Sequence, residues 1–301
     1  MQYLAPAPNV EVQPIAKPMQ GLSPMQFGNH PYYGAALIFS TDDARDMIRL
    51  APESARFIRS FYGSKEFIDS APRACLWISD AEAESAMSIP QIAEKVEAVK
   101  QSRITAVKDV SAQKLASTPW RFREQLMADK CTLIVPRVSS ENRPYLPVGL
   151  LEPDSVVQEK AFALYDAPLW NMGLIASRLH WVWIGTVCVR FEMRFRTPTL
   201  SAGTPCPVPL FTEQNKADLT ACAENILLAR EAHFPATLAD LYDPGNMPEN
   251  LRHAHARNDE VRECIYIGRR IKNDTERLEK LLELYTKMTA AAAATRVNCG
   301  K

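Results

Sequence analysis

The sequence feature that most constrains the fold is a polar segment enclosed by two strand-forming runs. Apolar, β-favouring residues lead into it from Thr132 to Val135, and a second strand-like run extends from Tyr145 to Leu151. The polar residues between them lack the Asn-Gly or Asp-Gly tip that a two-residue structural hairpin usually carries. We therefore predict two strands joined by a short, exposed, hairpin-like loop.

The residue types in this loop are those that read base edges in DNA. Arginine pairs with the two acceptors of guanine, glutamate accepts from cytosine, and asparagine suits adenine. Alternate residues of an extended segment face the same side. On that basis we predict base contacts from Arg137, Ser139, Glu141 and Arg143. Ser140 and Asn142 are candidates for the DNA backbone, and the alternative is a salt bridge between Arg137 and Glu141 that only stabilises the hairpin.

Two further places have the composition of phosphate contacts. In Gly63-Ser64-Lys65 the glycine permits close approach, and the serine and lysine suit phosphate oxygens. Arg103 and Lys108 bring positive charge to the end of a helix predicted over Ile89 to Lys108. The competing interpretations are an ordinary strand-joining turn and a solvated helix end.

Hydrophobic periodicity predicts both strands and helices in the first two-thirds of the chain and only helices beyond it. Beyond the two runs above, strands are predicted at Cys75–Ile78 and Phe162–Tyr165. Other helices are predicted at Thr41–Leu50, Leu169–Phe191, Lys216–Glu231, Glu249–Ile267 and Thr275–Ala294. Leu169–Phe191 is the most membrane-like stretch, but polar residues interrupt it, so we interpret it as one buried helix whose Trp181 and Trp183 lie in the core.

Composition indicates an ordinary globular chain of 301 residues, 47% hydrophobic and 23% charged. Seven scattered cysteines without ligand spacing indicate reduced thiols, a cytoplasmic location and no zinc site. A net charge of zero counts against a self-sufficient DNA-binding protein. The charge is uneven, however: residues 56–143 hold 14 basic and 11 acidic side chains.

Catalytic motifs are not evident. Asn29-His30-Pro31-Tyr32 is similar to the loop that grips a flipped base, but no buried strand precedes it, and only 28 residues lie upstream. His253 and His255 are two apart and would face different sides of a helix. A thiol hydrolase using Cys75 or Cys188 lacks an activating signature. We predict no catalytic residue, no metal site and no bound cofactor.

Ordered blocks along the chain resemble the MmeI-like (YeeA-like) family of large bacterial restriction-modification DNA methyltransferases. They extend from about Gln26 to Tyr285 and include the polar segment at residues 137–143, here called the polar loop. The other blocks are Phe27-Gly28-Asn29 with Gly34, Phe61 to Ile68, Cys75-Leu76-Trp77, Ser177-Arg178-Leu179-His180 and Leu238 to Pro244. Departures from the family pattern occur at residues 197–211 and at Ile265-Tyr266-Ile267-Gly268.

The resemblance implies an α+β fold, with a mixed β-sheet target-recognition domain and packed helices, followed by a small all-α C-terminal domain. We expect a connector from a missing methyltransferase domain at 1–55, recognition at 56–210 and the helical domain at 211–301. The implied function is recognition of double-stranded DNA for adenine-N6 methylation. The methyltransferase domain, in the same or a separate chain, would bind S-adenosylmethionine. The alternative is a stand-alone interaction protein, derived from such a fragment, that binds a protein partner.

Overall fold

The computed structural model describes residue 12 and residues 22–187, 190–191, 194–196 and 206–298. The chain divides into two compact units. Unit A comprises residues 27–134 and 150–166, and unit B comprises residues 1–26, 135–149 and 167–301. Residues 1–11 and 13–21 of the predicted N-terminal connector, the segment 197–205, Cys188 and Cys299 lie outside the described residues.

Short strands and longer helices alternate along the described chain. The strands are β1 (Gln26–Phe27), β2 (Ile38–Phe39), β3 (Ile58–Tyr62), β4 (Arg73–Leu76), β5 (Thr132–Pro136), β6 (Val138–Ser140), β7 (Gly149–Leu151), β8 (Val156–Val157), β9 (Ala161–Tyr165), β10 (Arg190–Phe191) and β11 (Arg194–Arg196). The helices are α1 (Thr41–Leu50), α2 (Ser64–Ile68), α3 (Ala83–Met87), α4 (Pro90–Thr105), α5 (Val110–Leu115), α6 (Trp170–Ile175), α7 (Arg178–Val187), α8 (Glu213–Glu231), α9 (Leu238–Leu241), α10 (Glu249–Ile267) and α11 (Asp274–Asn298).

Unit A is built around a sheet of order β2-β4-β3-β8. β4 pairs antiparallel with both β2 and β3, and β3 pairs parallel with β8. Its buried side chains join those of α1 and α4 in one apolar core that includes Phe57, Phe61 and Ile92. Because β2 and α1 belong to this core, the prediction that residues 1–55 are a connector is wrong from Phe27 onward.

The two runs that flank the polar loop are neighbours in a second sheet, of order β1-β9-β5-β7. The hairpin-like loop itself was predicted too simply. After β5, the chain forms β6, which leaves this sheet and pairs antiparallel with β11 in a three-stranded sheet with β10. The predicted strand Tyr145–Leu151 shortens to β7, because Pro144, Tyr145 and Val148 are bonded to side chains of α7, α10 and α8.

Unit B is mainly helical. α8 packs against α6 and α10, and a buried cluster that includes Leu179, Trp183 and Leu281 joins α7 to α11. Trp181 and Trp183 are both buried, which confirms them as core residues. Together with the mixed sheets, this helical C-terminal region confirms the predicted α+β class. Within the described part of the chain, no helix combines the length and apolar character needed to cross a bilayer.

The predicted helix Leu169–Phe191 is in fact two helices, because side chains of α10 interrupt it. The amide of Arg178, the first residue of α7, donates to Asp259 Oδ1 at 2.7 Å. Asn258 Nδ2 donates to the carbonyl of Gly173 at 2.8 Å, and the guanidinium of Arg262 donates to that of Leu174. With the backbone of the last turn of α6 bonded to α10, the chain turns at Ser177 and starts a new helix.

Helix ends follow local signals more closely than strand ends do. α1 and α10 have the predicted bounds, and α1 is capped by Ser40, whose hydroxyl accepts from the amide of Asp43 at 3.0 Å. α10 ends at Gly268, whose φ of 73° lies in the left-handed region that glycine adopts readily. The first helix of the C-terminal region begins at Glu213, three residues before the prediction, because Thr212 caps it.

Candidate nucleic-acid interface

The polar loop includes β6 and turns back directly after that strand. β6 is held to β11 with Ser139 opposite Phe195 and Ser140 opposite Arg194. The turn is closed by two bonds to Ser140: the amide of Asn142 donates to Ser140 Oγ, and the amide of Arg143 donates to the Ser140 carbonyl, both at 3.3 Å. The loop therefore has its own backbone bonds as well as a strand partner.

The side chains of this loop do not all face the same way. Asn142 is exposed, Arg137, Glu141 and Arg143 are half-buried, and Ser139 is only 2% exposed. Arg143 Nη1 donates to Ser139 Oγ at 3.3 Å. The prediction that Ser139 contacts bases is therefore wrong for this conformation, since its hydroxyl is buried and orients Arg143 instead.

An open cleft of about 720 Å³ adjoins the loop. Ser140, Asn142 and Arg143 line one part of it. The rest is lined by the segment after α8, at Ala239, Asp243, Pro244 and Gly245. The structure thus brings the predicted loop together with the Leu238–Pro244 block, which the sequence had marked only through its resemblance.

Tyr145 anchors the residues that follow the loop. Its hydroxyl donates to Asp259 Oδ2 at 2.9 Å, and its ring stacks on the imidazole of His255 with centroids 4.1 Å apart. Just before it, the carbonyl of Pro144 accepts from Arg178 Nη1 at 2.8 Å. Two consecutive residues are thereby fixed by α7 and α10.

Arg178 and Asp259 are themselves held in a wider polar network. Besides Tyr145, the carboxylate of Asp259 accepts from the amide of Arg178, while the Arg178 guanidinium forms an ion pair of 2.5 Å with Asp274 of α11. Burial raises the pKa of Asp259 to about 6. Near neutral pH the carboxylate therefore depends on these donors to remain charged.

A second set of buried bonds holds the chain at Val148. Arg230 Nη1 donates to the Val148 carbonyl at 2.5 Å, and Arg230 Nε donates to the hydroxyl of Tyr242 at 2.9 Å. His255 lies beyond Tyr242, with Nε2 2.7 Å from that hydroxyl and Nδ1 3.2 Å from the carbonyl of Ala176. Burial lowers the pKa of His255 well below 6.5, so the ring is neutral. Because Nδ1 faces a carbonyl and must donate, Nε2 accepts from Tyr242.

In unit A, the prediction that Arg103 contacts a phosphate is contradicted by its burial. Arg103 is fully buried, although it lies in the last turn of α4. Its guanidinium donates to five backbone carbonyls, those of Pro31, Tyr32, Leu115, Thr118 and Arg121. A guanidinium enclosed by carbonyls in this way is a structural tie, and Arg103 is removed from the phosphate candidates.

The other backbone candidates in unit A lie at its surface. Lys65 and Lys108 are exposed, and Ser64 is half-buried, with its hydroxyl donating to the carbonyl of Lys160. Gly63 precedes α2, and a Cβ there would lie 2.5 Å from Glu66 Oε2, so the close approach expected at this glycine is made by the protein's own side chain. Lys108 lines an open cleft of about 560 Å³, together with Tyr33, Val107 and Val110.

Two motifs considered for catalysis have structural roles. The Asn29 side chain is buried, and it both donates to the carbonyl and accepts from the amide of Leu126, each at 2.8 Å. Cys75 is buried in the core, where burial raises the pKa of its thiol, so it is not an activated nucleophile. Both observations agree with the structural interpretation of these residues.

Comparison with known proteins accounts for nearly the whole chain. The model of the MmeI target recognition domain matches residues 6–199, and that of the MmeI C-terminal domain matches residues 211–293. The chain belongs to the MmeI family. It is 35% identical over 287 residues to DNA methyltransferase A of Bacillus subtilis (strain 168), covering 95% of this chain and 32% of that protein.

A solved structure shows the same fold. The MmeI restriction-modification enzyme, a type IIL enzyme solved in complex with DNA, superposes with a TM-score of 0.88 at 28% identity. The match covers 96% of this MmeI-family chain and 38% of the enzyme's chain. The chain thus spans about a third of the length of these relatives. The two matched segments are those of the recognition and C-terminal domains.

Sequence reasoning missed the residues that hold the loop. Tyr145, Arg178 and Asp243 were not assigned a role, although Arg178 and Asp243 lie in blocks that carried the resemblance, and Asp259 has the sequence pattern of a solvated charge but is buried. The available signal was the occurrence of polar residues beside apolar ones within a block that resembles the family, as in Ser177-Arg178-Leu179-His180. That signal does not name a partner, because the partners lie far along the chain.

Proposed function

We propose that this MmeI-family chain is a sequence-specific DNA recognition module that directs adenine-N6 methylation. The observation that carries the proposal is the cleft at which Asn142 and Arg143 of the polar loop meet the Ala239–Gly245 segment. Hydrogen-bonding side chains at an open cleft, on a backbone held by buried bonds, suit the reading of base edges.

The loop and the surface lysines divide the work of binding. Arg137, Glu141 and Arg143 are the candidates for base contacts, with Ser140 and Asn142 at bases or phosphates. In unit A, the exposed Lys65 and Lys108 and the hydroxyl of Ser64 are the candidates for phosphate contacts. Phosphate contacts supply affinity for any sequence, whereas base contacts supply preference.

Methyl transfer is assigned to a domain outside the matched segment. The Bacillus subtilis relative is named a DNA methyltransferase, and two thirds of its length lies beyond the match. A methyltransferase domain of the same or a separate chain would bind S-adenosylmethionine and carry out the chemistry in the cytoplasm. This chain would select the double-stranded site.

Selection from a library of randomised DNA duplexes at low ionic strength tests the proposal. We expect the chain to enrich one sequence, and Arg143→Ala to relax the preference at one base pair by about 1–3 kcal/mol. Lys65→Ala should weaken binding to all duplexes alike and reduce the salt dependence. A change of sequence preference in the lysine variant would contradict the division between base and phosphate contacts.

A second candidate function is that of a stand-alone interaction protein. Apart from the zero net charge, one cleft of unit A favours it, since Val107 and Val110 there are 73% and 64% exposed. A chain with only a protein partner would retard no DNA duplex in a gel at low ionic strength. Retardation that weakens as salt is added would favour the DNA-binding proposal.

A further inference from the structure

We propose that Tyr145, Arg178 and Asp259 are positioning residues that set the base selectivity of the polar loop. They would do so by fixing the backbone at Pro144 and Tyr145, directly after Arg143. The inference rests on the proposed DNA-reading function and goes beyond it by assigning selectivity in part to helices α7, α10 and α11. None of the three residues needs to touch DNA in this role.

The two ends of the loop are held in different ways. On the N-terminal side, β6 is bonded to β11 through a regular strand pairing. On the C-terminal side, the chain from Pro144 to Val148 lies outside any strand, and its position depends on single bonds from side chains. Those bonds come from Arg178 to the Pro144 carbonyl, from Tyr145 to Asp259, and from Arg230 to the Val148 carbonyl.

Asp259 links the bonds at Pro144 and at Tyr145 into one network. One carboxylate oxygen accepts from the Tyr145 hydroxyl at 2.9 Å, and the other accepts from the Arg178 amide at 2.7 Å. The same Arg178 donates to Pro144, two residues after Asn142, and pairs with Asp274. A shift of α7 or α10 would therefore move the backbone beside Arg143, because short hydrogen bonds join these helices to Pro144 and Tyr145.

Bidentate reading of a base needs its side chain within about half an ångström of the productive position. Phosphate contacts by exposed lysines tolerate more displacement, because a lysine is a flexible point charge. Loosening the C-terminal side of the loop should therefore reduce selectivity more than it reduces affinity for unrelated DNA. A purely structural role in folding would lower both through the folded fraction and leave their ratio unchanged.

Tyr145→Phe is the sharpest perturbation, since it removes the bond to Asp259 and keeps the ring on His255. Its matched control is Tyr266→Phe. The Tyr266 hydroxyl is also bonded within unit B, accepting from Arg262 and donating to the carbonyl of Pro207 at 2.8 Å, but it has no bond to the loop. Each variant removes one hydrogen-bonded tyrosine hydroxyl: that of Tyr145 has one partner, and that of Tyr266 has two. Tyr266→Phe therefore controls for the loss of a buried hydroxyl in the same unit.

The measurement is the ratio of the dissociation constants for a scrambled duplex and for the duplex enriched by the wild type, with thermal unfolding recorded for each protein. We expect Tyr145→Phe to lower the ratio about three- to tenfold, as the loss of one net hydrogen bond implies. Affinity for the scrambled duplex should stay within about twofold. Tyr266→Phe should leave the ratio unchanged. Equal ratios for the two variants would overturn the inference.

Variants of Asp259 keep the test informative if Tyr145→Phe folds poorly. Asn at position 259 retains an oxygen for the Arg178 amide and an NH₂ group that can donate to the Tyr145 hydroxyl, whereas Ala retains neither. We expect Asp259→Asn to preserve most of the selectivity ratio, and Asp259→Ala to lose it. A ratio that falls equally in both, or in neither, would contradict the positioning role.

The wild-type result separates the two levels of the argument. A wild-type chain that enriches no sequence would refute the proposed function, and the inference would fall with it. A selective wild type whose ratio is unaffected by Tyr145→Phe would refute the positioning role alone.

Discussion

The enclosure of Arg103 by backbone carbonyls leads to a quantitative prediction for Arg103→Lys. The five carbonyls lie between 2.6 and 3.1 Å from the guanidinium nitrogens, and the side chain is fully buried. Leu115 is the last residue of α5, Thr118 and Arg121 follow that helix, and Pro31 and Tyr32 lie before β2. Arg103 therefore ties the end of α4 to two separate stretches of unit A.

The expected loss follows from the number of donors. A lysine ammonium has three donors at a single nitrogen, so at least two of the five carbonyls lose their bond. A hydrogen bond to a charged group contributes about 1.5–3 kcal/mol, so the substitution should cost about 3–6 kcal/mol. Domains are typically stable by about 5–15 kcal/mol. Arg103→Ala, which leaves five carbonyls without this donor, should prevent unit A from folding.

Hydrogen–deuterium exchange in increasing urea measures this loss locally. Peptides from residues 27–134 report on unit A, and peptides from residues 211–298 report on the helical part of unit B. Arg45→Lys is the matched control, because Arg45 lies in the same unit and forms an exposed i,i+3 pair with Asp42. Exposed pairs contribute about 0–1 kcal/mol. If Arg103→Lys lowered the stability of unit A no more than Arg45→Lys, the structural role given to Arg103 would be wrong.

Three further predictions concern unit B. Because burial places the folded pKa of Asp259 at about 6, above its ordinary 3.8, the stability it contributes is complete below pH 4 and is lost as the pH rises through 6. Urea unfolding should show Asp259→Asn gaining about 1 kcal/mol on the wild type between pH 5 and pH 8, and a constant difference would contradict this. Gly173→Ala should cost about 1–3 kcal/mol, because its Cβ would lie 2.9 Å from the Leu219 carbonyl oxygen; an unchanged melting temperature would contradict the close packing of α6 on α8. Asp243→Asn removes a negative charge from the cleft and should strengthen binding to all duplexes about two- to fivefold at low salt, with Glu231→Gln as an exposed control outside the cleft and a sequence-dependent effect as the contrary result.

Several parts of the fold could be predicted from local sequence. The bounds of α1 and α10 follow from an apolar stripe together with a capping serine or a terminal glycine, and β5 follows from a run of β-favouring residues. The family could also be predicted, because its blocks occur in order along the chain. These signals lie within a few residues of the structures they specify.

The largest failures of prediction depended on distant partners. Arg103 has the composition of a solvated helix end, but carbonyls up to 72 residues away enclose it. The stretch 169–191 has the periodicity of one helix, but α10, about 80 residues later, takes the backbone bonds at its middle. Residue composition cannot distinguish a charge that faces water from one that satisfies buried carbonyls.

The sequence by itself determined the bounds of α1 and α10, the strand β5 and the family to which the chain belongs, because those properties follow from short-range periodicity, caps and ordered motifs. Only the tertiary structure decided which polar side chains remain at the surface. A buried polar group must find a partner, and for Arg103 and Tyr145 that partner is supplied by the packing of distant parts of the chain. For this reason, the residues that hold the polar loop could be identified only from the packing of the helices in unit B.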